Sequence, residues 1–132
     1  MKITALVKNS FQKHEVVVST ADNSKTIAIE SKADGLGSSI NGGELLFLSL
    51  ATCFCNDVYR EAGKRNLEID NVEVVVSGEF GGEGEPAKHI SYEVKVEAAK
   101  HSEEEIAALI KRVDEVAEIH NTLRKGIEIK LR

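Results

Sequence analysis

The sequence predicts an α+β domain in which helices cover one face of an antiparallel sheet. Three observations carry this. Residues 2–8 (KITALVK), 13–19 (KHEVVVS) and 26–31 (TIAIES) are short β-branched or alternating runs, the mark of half-buried strands. Residues 44–55 (ELLFLSLATCFC) are apolar without alternation, and the pattern continues through Val58 and Ala62, which reads as one long helix. Ser102 and Glu105 form a capping box just ahead of Ile106, Leu109, Ile110, Val113 and Val116, all on one helical face. The resulting order is β-β-β-α-β-β-α-β across a single domain, residues 1–132.

Taken in order, the chain opens with a three-stranded meander. Ile3, Ala5 and Val7 share one face of the first strand, and ADNSK is the turn before Ile27 and Ile29. SKADGLGSSINGG is a Gly- and Ser-rich connector to the central helix. That helix spans roughly 20 residues, about 30 Å, and its first half is apolar nearly all round, so burial against more than one neighbour is expected. Gly63 and Asn66 mark its end. LEIDNVEVVVSGEF is a long strand whose apolar parity slips at Asp70-Asn71, which predicts a bulge there. GGEGEP turns the chain, and HISYEVKVEA returns with Ile90, Tyr92, Val94 and Val96 alternating. After the second helix, residues 120–126 (HNTLRKG) form a connector and IEIKL a final strand.

Composition narrows the function classes. With 42% hydrophobic and 30% charged residues the chain is globular. A net charge of -5, without a basic stripe, argues against nucleic acid as a partner. The start, MKITALVKNS, has no signal-peptide core, and the apolar run of the central helix falls short of the roughly 20 residues a bilayer span needs, so a cytoplasmic protein is expected. His14, His89, His101 and His120 are scattered, with no metal-site spacing, and no cofactor motif is present.

Cys53 and Cys55 are the only cysteines. Two positions apart on a helix, they leave it about 200° apart, so they cannot close a disulfide while the helix is intact. One of them is packing. A reactive thiol needs a positive environment. Cys53 lies too deep in its helix to feel that helix's own N-terminus, and Asp57, one turn on, shares its face and opposes thiolate formation.

NGGELLFLSLATCF followed by NDVYREA resembles the cysteine-helix motif of the OsmC/Ohr family, the osmotically induced and organic-hydroperoxide-resistance proteins. The resemblance implies an intertwined homodimer, with two central helices buried between two sheets and active sites at the subunit interface. The best-known members reduce organic hydroperoxides with a peroxidatic cysteine, a resolving cysteine, an arginine and a glutamate. By resemblance Cys53 takes the peroxidatic position. Gly42-Gly43 replaces the family's usual Pro-Glu, and Glu44 lies one place later, as in an OsmC-like branch that shares Asp57-Val58. His120 falls near the resolving position, where it is either a base or a partner for helix-end carbonyls. Lys13 stands in for the absent arginine, as a point charge without the planar fork. Two functions follow as expectations. One is a thiol-dependent reductase of organic hydroperoxides or related electrophiles, with an external thiol in place of the resolving cysteine. The other is a non-catalytic dimer that binds a small apolar ligand at the subunit interface.

Overall fold

The computed structural model describes residues 1–132. It divides into two compact units, Met1–Glu44 and Leu45–Arg132. The first is a three-stranded antiparallel sheet, β1 (Ile3–Ser10), β2 (Lys13–Thr20) and β3 (Asn23–Thr26), in that spatial order. β1 and β2 pair from Ile3↔Thr20 to Ser10↔Lys13. Both hairpin reversals place one residue at positive φ, Gln12 at 58° and Ala21 at 50°. The third strand lies earlier than the sequence suggests. Ala21-Asp22 alone makes the turn, so pairing already starts at Asn23 and is spent by Thr26, with one further bond from the Ile27 amide to the Val16 carbonyl at 3.0 Å.

The Gly- and Ser-rich segment after β3 is a clasped connector. The Gly37 amide donates to Asn9 Oδ1 at 3.1 Å, and the Gln12 amide donates to the Gly35 carbonyl at 2.7 Å. Gly35 has φ +83°, and a Cβ there would sit 2.7 Å from the Phe11 ring, so both conformation and space call for glycine.

The second unit carries the core. α1 (Gly42–Lys64) begins just before the division, and is followed by β4 (Asn71–Glu79), β5 (Lys88–Glu97), α2 (Glu103–Val116) and α3 (Glu118–Lys125). In β4 and β5 the inward residues register against one another, Val72↔Val96, Val74↔Val94 and Val76↔Tyr92, and several of them pack under the helices. Phe54, Val58 and Ala62 of α1 meet Leu109 and Val113 of α2 and Ala117 in one buried cluster. α1 buries Leu50, Phe54, Val58 and Ala62, a four-residue spacing that keeps one stripe against the core. α2 starts as the sequence indicates: the Glu105 amide donates to Ser102 Oγ at 3.2 Å, and the Ser102 amide donates back to Glu105 Oε1.

Four further expectations change. The bulge lies between Ser77 and Glu79, not at Asp70-Asn71, where β4 simply begins. Gly78 sits in that irregularity because Phe47 of α1 packs over it: a Cβ would approach the Phe47 ring at 2.7 Å. Residues 120–126 are not a connector; most of them belong to α3, which a break at Ala117 (ψ 109°) sets off from α2. Residues 127–131 form no strand, because in the single chain no neighbour takes up their backbone groups. In the first half of α1, expected to be buried nearly all round, Leu48 is 57% exposed. No helix is long and apolar enough to cross a membrane.

Candidate functional site

Cys53 and Asp57 are one turn apart on α1, and the thiol donates toward Asp57 Oδ2 at 3.7 Å. The break at Ala117 brings the first turn of α3 to the same sulfur. Glu118 Oε2 lies 4.0 Å from Sγ. Arg60 spans both acids, with Nη1 3.0 Å from Asp57 Oδ1 and 3.2 Å from Glu118 Oε1. A thiol, two carboxylates and a guanidinium therefore form one cluster.

The electrostatics are mixed. Burial pushes the Cys53 thiol above its ordinary range, the Ile119 amide pulls it down, and the charges of Asp57 and Glu118 push it up again. Asp57 is 4% exposed, and burial raises its own pKa against the pull of Arg60. Glu118 is held below the usual carboxylate range, chiefly by its own backbone amide and also by Arg60. The sulfur and the two carboxylates lie within 4.8 Å of one another, a donor set a soft divalent ion can use. The single Arg60 guanidinium, paired with both carboxylates, offsets one of their two charges.

Of the other sequence candidates, Glu44 belongs to the start of α1. Its carboxylate accepts from the Asn41 amide at 2.9 Å while its own amide donates to Asn41 Oδ1 at 2.8 Å, a reciprocal cap that holds the helix entry. Lys13 opens β2 in the Met1–Glu44 unit, exposed, its carbonyl accepting from Asn9 Nδ2 at 3.2 Å. His120 is buried in α3 beside the rings of Phe54 and Tyr92, with centroids 5.6 and 4.7 Å away. Neither of its ring nitrogens has a hydrogen-bond partner, so it binds no helix-end carbonyl. Cys55 faces Ala51, Thr52, Asn56 and Val74 across a shallow depression apart from the acidic cluster, and both cysteines are free thiols.

Sequence reasoning found Cys53 and Asp57, because an i, i+4 pair shares a helical face. It missed Arg60, Glu118 and the Ile119 amide. Ala117 offers no side-chain cap to α3 and is neither Gly nor Pro, so nothing local announces a helix start there.

An α+β protein with a cysteine on its long first helix, seated at the first turn of a later helix, is the class that this fold and site define. The sequence profile of the OsmC-like protein family matches residues 35–132, and the chain belongs to that family. Solved structures share the fold. An OsmC-like protein from Mycoplasma pneumoniae superposes with a TM-score of 0.63 at 21% identity, covering 95% of this chain and 87% of that one. The organic hydroperoxide resistance protein OhrB of Bacillus subtilis gives 0.57 at 19% identity, covering 100% and 97%. An organic hydroperoxide resistance protein OsmC from Legionella pneumophila gives 0.60 at 19% identity, covering 99% and 95%. Comparison with curated protein sequences gives no match.

Proposed function

We propose that this OsmC-like protein is a homodimeric, thiol-dependent reductase of organic hydroperoxides with Cys53 as its reacting residue. The observation that carries the reading is the position of the sulfur at the first turn of α3. The Ile119 backbone there favours the sulfur anion, and a carboxylate–arginine pair stands alongside. An amide at a helix N-terminus stabilises a sulfur anion through both its hydrogen bond and the helix dipole. That supplies part of what the absent catalytic arginine would have given.

The chemistry rests on these contacts. The Cys53 proton passes to Asp57, whose raised pKa makes it a better acceptor than an ordinary aspartate. The thiolate attacks the terminal oxygen of R–O–OH. The S–O bond forms as the O–O bond breaks, and the departing alkoxide takes the proton to leave as alcohol. Cys53 ends as a sulfenic acid and the hydroperoxide is reduced by two electrons. An external thiol then displaces water to give a mixed disulfide, and a second external thiol releases Cys53 as the free thiol. Glu44, His120 and Lys13 have no step in this sequence.

The dimer is supported by apolar surface left open in one chain. Leu48 on α1 and, in the 127–131 segment, Ile129 at 95% and Leu131 at 103% are exposed, a pattern disfavoured in a monomer. An alternating segment with free backbone groups suits strand pairing with a second copy.

The test is stoichiometric. Without added thiol the protein consumes one equivalent of cumene hydroperoxide per chain and stops; with excess dithiothreitol it turns over. Absence of consumption in both conditions leaves the second reading, a non-catalytic dimer binding a small apolar ligand at the subunit interface, which the raised Cys53 pKa favours.

A further inference from the structure

The two carboxylates beside Cys53 divide their oxygens in the same way. Asp57 turns Oδ2 to the sulfur at 3.7 Å and Oδ1 to Arg60 at 3.0 Å. Glu118 turns Oε2 to the sulfur at 4.0 Å and Oε1 to Arg60 at 3.2 Å. The guanidinium therefore sits on the oxygens that the sulfur does not face. Two carboxylates at -1 and one guanidinium at +1 leave a net charge of -1 beside the thiol, before the thiol itself ionises. The sulfur registers this: burial first, and then the charges of Asp57 and Glu118, push its pKa up.

The two acids meet solvent differently. The Asp57 side chain is 6% exposed and that of Glu118 is 64% exposed, so a reactant coming from water meets Glu118 before Asp57. Glu118 is held below the usual carboxylate range, chiefly by its own backbone amide and also by Arg60, so its charge is present throughout the neutral range. A fixed charge this close to the reacting atom acts on a charged reactant and not on a neutral one of the same shape.

We propose, resting on the reductase reading above, that Glu118, with Asp57 behind it, is the specificity-determining residue of this site: it turns anionic oxidants away from Cys53, and the substrates are uncharged organic hydroperoxides. Peracid anions and hydroperoxides that carry a carboxylate close to the peroxy group are the excluded class. One uncompensated charge at about 5 Å, with water-like screening, slows a monoanion about fourfold. The effect shrinks with salt, because the Debye length falls from about 30 Å at 0.01 M to about 3 Å at 1 M.

The experiment compares two alkylating agents of nearly the same shape, neutral iodoacetamide and anionic iodoacetate, on the Cys55→Ser protein at pH 8.5 and low salt. Both attack the thiolate, so the ratio of their rates cancels the thiolate population and reads the charge at the sulfur. The iodoacetamide-to-iodoacetate ratio should be about fourfold that of N-acetylcysteinamide. It should fall to within about twofold of that free thiol in Glu118→Gln, rise further in Arg60→Gln, and collapse in 1 M NaCl. A ratio no higher than the free thiol's, a ratio that Glu118→Gln leaves unchanged, or a Cys53 that reacts with neither agent would overturn the assignment. Cumene hydroperoxide and its para-carboxylate then score the substrates: with excess dithiothreitol the neutral compound should be consumed faster, and Glu118→Gln should narrow the gap. Equal consumption of the two would also overturn the assignment. Consumption of neither, in protein whose alkylation ratio is raised, would instead overturn the reductase reading and leave the charge filter in place.

Discussion

Replacing Asp57 by Asn should make Cys53 more reactive toward a simple alkylating agent while failing to improve hydroperoxide reduction in proportion. The first half rests on charge. Asp57 Oδ2 is 3.7 Å from the sulfur. At that separation two unit negative charges repel by about 1.1 kcal/mol with water-like screening, and about 4.5 kcal/mol at the effective dielectric of a protein surface. The lower figure applies, because the Arg60 guanidinium at 3.0 Å cancels much of the Asp57 charge. Removing about 1.1 kcal/mol of opposition raises the thiolate population, and hence the iodoacetamide rate at pH 7.5, about sixfold. The second half rests on proton delivery: asparagine cannot pass a proton to the departing alkoxide, so the ratio of peroxide to alkylation rates should fall. Stopped-flow consumption of cumene hydroperoxide beside alkylation of the same samples gives both numbers. An alkylation rate unchanged or lowered by Asp57→Asn would refute the electrostatic argument, and an unchanged ratio would refute the proton path.

Separate parts of the fold have consequences of their own. Wild-type Cys53 should alkylate with an inflection above the ~8.5 of a free cysteine, its rate rising with pH as the raised pKa is crossed. Gly78→Ala should destabilise the protein by about 1–3 kcal/mol in urea unfolding, since the new methyl group collides with the Phe47 ring and only overpacking can absorb it. Buried Glu61, paired with Lys64 at 3.0 Å, has its pKa lowered first by that hydrogen bond, so its contribution is complete above the ordinary glutamate range. It is lost as pH falls through the depressed value, and Glu61→Gln should flatten that acid limb of the stability profile. Ile129→Asp with Leu131→Asp should shift sedimentation toward monomer at micromolar concentration, without altering the amide spectrum of the Phe54–Leu109 core.

Burial on one face imposes a period, and wherever that held the sequence was readable. The alternation of Val72, Val74, Tyr92, Val94 and Val96 appears in the structure as the inner face of one hairpin, and the Ser102–Glu105 box caps α2. Asp57 beside Cys53 was legible for the same reason. Glu118 was not, since it reaches the sulfur only through a helix break at Ala117 that leaves no local signature. His120 could be read as a helix-end histidine, but not as a ring without partners between Phe54 and Tyr92, because stacking across three elements depends on tertiary packing. The strand expected at residues 127–131 shows the opposite limit. Its alternation is plain in the sequence, while pairing requires a neighbour that one chain does not supply.

The central claim, that Cys53 and not Cys55 meets the hydroperoxide, is tested most directly by trapping. Protein treated with one equivalent of cumene hydroperoxide in the presence of dimedone, then digested and mapped by mass spectrometry, should carry the sulfenic-acid adduct on Cys53 alone. The adduct should vanish in Cys53→Ser and persist in Cys55→Ser. An adduct on Cys55, or none on either cysteine while the protein remains folded, would contradict the claim.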